Sequence, residues 1–264
     1  MSKLIQLLPL LFLVIILNAC QNQTKQQQHS SQEIIYDTLN LTYEGEKNDS
    51  NSYFKVKYAL LDFKLSNKKV NDSLQFKMRE YLFNVEPELS KSLEVQMNED
   101  KKKLLEEYQS LQADFPDGTY GYEHELTQNV ISIYKKFIGI ETQRYAYAAG
   151  AHGMYWENFL NIDLTTGSTL QVDDFFKSQK KLLELAESNF RKQMELKEKD
   201  DLEQYGFWFT NNRFHLNNNF NFRNDSIEFQ FSQYEIAPYV MGNISIKLPL
   251  KALQEDLKQE MFDN

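Results

Sequence analysis

The stretch "SIEFQFSQYEIAPYVMGNISIKLPL", Ser226 to Leu250, decides how this chain is read. Ile227, Phe229 and Phe231 alternate with Ser226, Glu228, Gln230 and Ser232. Further on, Ile244, Ile246 and Leu248 alternate with Ser245 and Lys247. Successive side chains of a strand point to opposite faces, so each run reads as a strand with one apolar face. A hairpin between such strands takes roughly two to five connecting residues, whereas "QYEIAPYVMG" (233–242) supplies ten. The spacing predicts an ordered protrusion at the sheet end. Pro238 stiffens it, Gly242 supplies a permissive backbone, and Tyr234 and Tyr239 bring rings with polar tips. Two readings stay open, a structural cover over the sheet and a partner-facing loop, since tyrosines on a rigid scaffold are favoured in interfaces. Glu235 poses the same choice, because its carboxylate is either bonded to nearby backbone donors or offered to a partner.

Upstream, Phe214, Leu216, Phe220 and Phe222 alternate with polar residues, and "RND" (223–225) turns that run into the strand from Ile227. Leu182, Ala186, Phe190 and Met194 recur at helical spacing, as do Met97, Leu104, Tyr108, Leu111 and Phe115 in a helix expected over Leu93 to Phe115. Further strands are expected at "IIYDTLNLTY", "YFKVKYALLDFKL", "TYGYEHEL", "NVISIYKKFIGIETQRYAYAAG", "ENFLNIDL" and "STLQV", the last two joined by "TTG" (165–167). In "YFKVKYALLDFKL" the apolar phase switches between Leu60 and Leu61, which predicts a β-bulge. Pro249 is expected to open a closing helix with Leu250, Leu253, Leu257 and Met261 inward. The class is α+β, with mainly antiparallel sheet, packed helices and two sub-domains.

The N-terminus sets the expected compartment. Lys3 precedes the apolar run Leu4 to Leu17, too short for a membrane-spanning helix, and "LNAC" (17–20) has the form of a bacterial lipobox. Residues 1–19 read as a lipoprotein leader, and Cys20, the single cysteine, as the lipidated first mature residue that anchors the chain to a membrane of the cell envelope. Residues 20–33, with "QNQTKQQQHSSQE", read as a flexible tether. Domains are expected over 34–153 and 154–264. The formal charge is −9, and removing a leader with one lysine and no acid makes it −10. That acidity argues against nucleic acid as a partner.

"YAYAAGAHGMYWENFLNIDLTTGSTLQVDDFF" (145–176) and "QYEIAPYVMG" followed by "ISIKLPLKAL" resemble two signatures of the RsiV-like extracytoplasmic module. That family forms the lysozyme-binding exterior of an anti-sigma factor, accompanies a catalytic domain in some peptidoglycan deacetylases, and occurs in stand-alone lipoproteins. The resemblance implies the fold and an exported role in binding a protein or a cell-wall glycan, not sigma regulation.

Motifs for chemistry are sparse. Of the four histidines, at 29, 124, 152 and 215, none stands in an HExxH pair, so no metal or other cofactor is expected. Ser66/Lys69 and Ser178/Lys181 lack the companion motifs of Ser-x-x-Lys enzymes. Glu123 and Glu125 flanking His124, and Asp173-Asp174, leave open a glycan hydrolase or esterase using paired carboxylates, with Glu235 a further candidate acid. His152, between Ala151 and Gly153, reads as a buried hydrogen-bonding histidine that fixes the turn rather than a catalytic one, and it joins the candidate binding residues. The expected binding residues are Tyr234, Glu235, Pro238, Tyr239 and His152, in a module without catalysis of its own.

Overall fold

The computed structural model describes residues 25–27, 34–45, 52–116, 118 and 120–263. The leader, Cys20 and most of the expected tether lie outside these residues. Within the tether, however, Lys25–Gln27 forms a short strand, β1, antiparallel to β2 (Ile34–Glu44). The first sheet continues through β3 (Tyr53–Phe63), β4 (Gly121–Ile133), β5 (Phe137–Ala148) and β6 (Met154–Asp163), in the order β1-β2-β3-β4-β5-β6. It thus runs through Asp163, past the 153/154 domain boundary expected from the sequence. All its pairings are antiparallel except β3–β4, whose parallel crossover holds α1 (Lys68–Arg79) and α2 (Leu93–Asp114).

Both helices are capped by their own sequence. Asn67 and Ser92 accept the N–H groups of Val70 and Val95, satisfying donors that a first turn leaves unpaired. Val70, Leu74 and Met78 of α1 pack with Leu61, Phe63, Ile138 and Ile140, while Leu93, Met97, Leu104 and Tyr108 of α2 pack with Phe54, Val56, Tyr58 and Leu60.

The expected bulge at Leu60/Leu61 is absent. Both residues are buried, yet β2 and β3 pair without interruption from Glu44↔Lys55 to Tyr36↔Phe63. Instead β3 parts from β4 after Ala59↔Thr127, and the Leu61 N–H donates to Gln128 Oε1 at 3.2 Å. Beyond that point β3 no longer pairs with β4, and Leu61 and Phe63, on its other face, join the core around α1. The partner strand β2 changes phase in step, from Leu39, Leu41 and Tyr43 to Ile34 and Tyr36.

The second unit contains α3 (Val172–Phe175), α4 (Lys180–Gln193) and an antiparallel sheet β7 (Phe220–Arg223), β8 (Ser226–Phe231), β9 (Ile244–Pro249). Asn224 and Asp225 both take positive φ, 48° and 57°, the two-residue turn whose twist suits a hairpin. The core here is dominated by phenylalanines, including Phe175, Phe190, Phe220, Phe222, Phe229 and Phe231, with Phe137 contributed by β5. Three expectations change. "STLQV" makes only the bridge Ile162↔Thr169. Phe214 and Leu216 precede the strand rather than join it. The closing helix is two short 3-10 turns, Leu250–Leu253 and Gln259–Met261, although Leu253 and Leu257 are buried as expected.

Candidate binding site

The β8–β9 connection is held at several points along its backbone. Ser232 N–H donates to Glu235 Oε2 at 2.8 Å, and Glu235 N–H returns a bond to Ser232 O. Glu235 Oε1 accepts from Asn217 Nδ2 at 2.7 Å, so both oxygens of this carboxylate are engaged within the protein. Gln233 N–H donates to Asn243 Oδ1, and its own Oε1 accepts the Tyr155 N–H of β6, each at 3.0 Å. Ile236 and Ala237 are buried, and Ile236 O accepts the Trp208 N–H at 2.8 Å. Pro238, with φ −59°, then starts the turn Tyr239–Met241, which Gly242 leaves at φ 67°.

That anchoring projects a defined set of side chains. Tyr234 is turned out by a φ of 65°. Val240 is 87% exposed, and Met241, Tyr234 and Trp208 are exposed as well. The β5–β6 turn meets them through His152, which is exposed at the turn rather than buried as expected. Its ring stacks on Tyr239, with centroids 3.8 Å apart at 22°, and Tyr234 completes the cluster 5.7 Å from Tyr239. Gly153 O accepts the Tyr239 hydroxyl at 2.8 Å and faces His152 Nδ1 at 3.2 Å. A carbonyl only accepts, so Nδ1 carries hydrogen and Nε2 is left to accept the Tyr234 hydroxyl at 3.4 Å. Of the five expected binding residues, the structure brings His152, Tyr234 and Tyr239 together, while Pro238 and Glu235 shape the loop that carries them.

The cluster continues onto the sheet. A Cβ added at Gly153 would lie 2.4 Å from the Tyr145 hydroxyl, so a larger residue there would have to displace that ring. Tyr145 and Tyr147 point to the same face as Glu123 and Glu125 on β4 and Lys55 on β3. Burial, then the charge of Glu123, raises the Tyr145 phenol above its ordinary value. Lys55 binds Glu123 directly and Glu125 at 2.9 Å, so the two carboxylates of this expected pair share one lysine. Beside it, a cleft of about 300 Å³ is lined by Glu44, Gly45, Tyr53, Phe54, Lys55 and Glu123. His124, between the two glutamates in sequence, points to the opposite face and is buried. Asp174 caps α3 by accepting the Gln171 N–H at 2.7 Å, and Asp173 accepts from Gln179.

A different carboxyl pair escaped the sequence reading. Glu141 on β5 and Glu157 on β6 are diagonal neighbours on one face, since Gln143 is the residue opposite Glu157. Glu141 is paired with Arg223 of β7 at 2.8 Å. Burial first, then the hydrogen bond and charge of Glu141, push Glu157 up to about 7. Once β5 and β6 are aligned in register the pair is evident, but no local motif marks it. Among the described residues no group of three or more His, Cys, Asp or Glu is arranged to hold a metal, and no helix is long and apolar enough to cross a membrane.

Comparison with known proteins bears on this architecture. Over 145 residues, 53% of this chain, it is 26% identical to the peptidoglycan-N-acetylmuramic acid deacetylase PdaC of Bacillus subtilis (strain 168), and it spans 30% of that protein's length. A crystal structure of a DUF3298 family member from Bacteroides fragilis superimposes with a TM-score of 0.70, covering 90% of this chain and 95% of that one at 21% identity. A second, from Pseudomonas aeruginosa PAO1, gives 0.56 over 86% and 96% at 19% identity. Both support the α+β fold. Residues 173–251, which hold α4, the β7–β9 sheet and its long loop, match the family described as "Protein of unknown function (DUF3298)".

Proposed function

We propose that the chain is a non-enzymatic binding module of the cell envelope, anchored by a lipid on Cys20, whose 233–242 loop docks a wall-directed protein. The observation that carries this reading is the loop tip. A tightly anchored backbone spends no binding energy on ordering, and it presents Tyr234, Val240 and Met241 beside Trp208 and His152. Contiguous exposed apolar side chains with tyrosine and tryptophan mark protein interfaces rather than solvated loops. The acidic chain favours a cationic partner such as a lysozyme. Similarity to a peptidoglycan deacetylase supports a wall setting.

Capture of lysozyme across a salt series tests the reading. At about 0.3 M salt, where the Debye length falls below 10 Å, specific capture persists and Val240→Asp abolishes it without lowering the melting temperature. Capture that vanishes with salt, or that survives Val240→Asp, overturns it. The glycan-hydrolase reading draws on Glu157, which burial and the neighbouring Glu141 push up to about 7, the range of a general acid working near neutrality. Release of soluble products from peptidoglycan, lost in Glu157→Gln, would establish that reading in place of the binding one.

A further inference from the structure

The sheet face turned away from Tyr145 and Tyr147 carries a cation that, among the described residues, no carboxylate binds directly. Arg144 on β5 lies across the ladder from Leu126 on β4 and Trp156 on β6, on the face that also holds Tyr58 and His124. Its guanidinium sits over the Phe83 ring, 4.5 Å from the centroid, and over Trp156 at 5.5 Å. Among the described residues it makes no ion pair, and its Nε is buried with no acceptor. Asp100, the carboxylate whose charge reaches it, is fully buried, and its oxygens accept the Tyr58 hydroxyl and the Phe83 and Asn84 N–H groups. Next to it His124 is 6% exposed, and neither ring nitrogen has a partner. Burial and the charge of Arg144 hold this imidazole at about 4, so it is neutral near pH 7.

Each group restricts what fits. A guanidinium stacked between aromatic faces keeps its N–H edge for a planar anion, and the fork matches a carboxylate. A partly buried indole offers a flat apolar face of the size of a sugar ring. A neutral imidazole with both nitrogens unpaired has one donor and one acceptor, the complement of a hydroxyl. We propose that Arg144, Trp156 and His124 form a binding site for a carboxylated sugar, in which the guanidinium takes the carboxylate, the indole the ring face and the imidazole a hydroxyl. Phe83 lies edge-on to His124 at 4.5 Å and covers both polar groups, so entry displaces that ring. The site is on the opposite face of the sheet from the cluster around Tyr239. Loss of protein capture by the loop and loss of sugar binding here are therefore separate outcomes.

The chain has two tryptophans, so Trp208→Phe leaves Trp156 as the sole indole reporter. Emission is titrated with N-acetylmuramic acid, with N-acetylglucosamine, which has the ring without the carboxylate, and with lactate, which has the carboxylate without the ring. Calorimetry on the unaltered chain repeats the three titrations. The expected result is saturable binding of the sugar acid, at least tenfold tighter than either other probe. Arg144→Gln weakens it tenfold or more, and Arg144→Lys falls between, because lysine keeps the charge and loses the planar fork. Equal affinity for N-acetylglucosamine, no binding of any probe by the unaltered chain, or binding that survives Arg144→Gln overturns the assignment.

Discussion

Asn219 closes the outer edge of β6 by binding on both sides of Asn158: its Oδ1 accepts the Phe159 N–H at 2.6 Å, and its Nδ2 donates to Glu157 O at 2.7 Å and to Gln230 O of β8 at 2.9 Å. One amide thus does for an edge strand what a neighbouring strand would do, while tying it to β8. Asn219→Ala leaves the Phe159 N–H and the Glu157 carbonyl partly buried without this partner, while Gln230 O keeps Asn217. It should cost roughly 2–4 kcal/mol of unfolding free energy, measured by urea titration. A loss under about 0.5 kcal/mol would show that the contact contributes little.

Tyr239 and His152 should behave as one unit. Tyr239→Ala and His152→Ala are expected to destabilise by less together than by the sum of the two single changes. A coupling of about 0.5–1.5 kcal/mol from the stacked rings is the expected result of a double-mutant cycle. Tyr234→Ala, at an exposed ring, should shift stability by no more than about 0.5 kcal/mol and weaken partner capture.

Glu157 gives a pH dependence of definite sign. Its folded value, about 7, lies above its ordinary 4.5, so the folded state holds the proton more tightly. The stabilisation is complete below about pH 4.5 and fades as pH rises toward 7. For a group near half exposure the change is on the order of 1 kcal/mol. Glu157→Gln should flatten the stability profile across that window.

His124 acts in the opposite direction. Its folded value of about 4 lies below the usual 6.5, so unfolding takes up a proton and stability falls as pH drops from about 6.5 to 4. For a side chain this buried the loss is on the order of 2–3 kcal/mol. His124→Gln should remove it, as read from denaturation midpoints at pH 7 and pH 4.5.

Cys20→Ser tests the anchor. Lipid labelling of the expressed chain should disappear, and the protein should move from the membrane fraction to the soluble one or remain unprocessed. Labelling that persists in this variant would end the lipoprotein reading.

Much of the fold was readable because it is local. β2, α2, α4 and the Arg223–Ser226 hairpin each announce themselves by period, cap or turn residues within a dozen positions. The failures lie where neighbours in space decide. The phase switch at Leu60/Leu61 is written in the sequence, but its cause is the departure of β4, which no residue of β3 encodes. The 3-10 turns after Pro249 keep the inward leucines of the expected helix, since burying Leu253 and Leu257 requires only the spacing. His152 and Tyr239 are 87 residues apart, and their approach depends on the second unit docking against the β6 edge. Arg144 was invisible as a candidate because its partners are rings, which leave no charge pattern along the chain.

The pairing of Lys25–Gln27 with β2 governs how far the folded body stands from a lipid at Cys20. Lys25 lies five residue steps beyond Cys20, and a fully extended chain spans at most about 3.6 Å per residue, so a tether between them reaches no more than roughly 18 Å. A lipid at Cys20, as proposed, would on so short a leash make the β1–β2 edge the membrane-proximal side of the molecule. The reach of any docking loop is then the length of the domain itself, which favours ligands already lying against the bilayer over ligands deep in the wall.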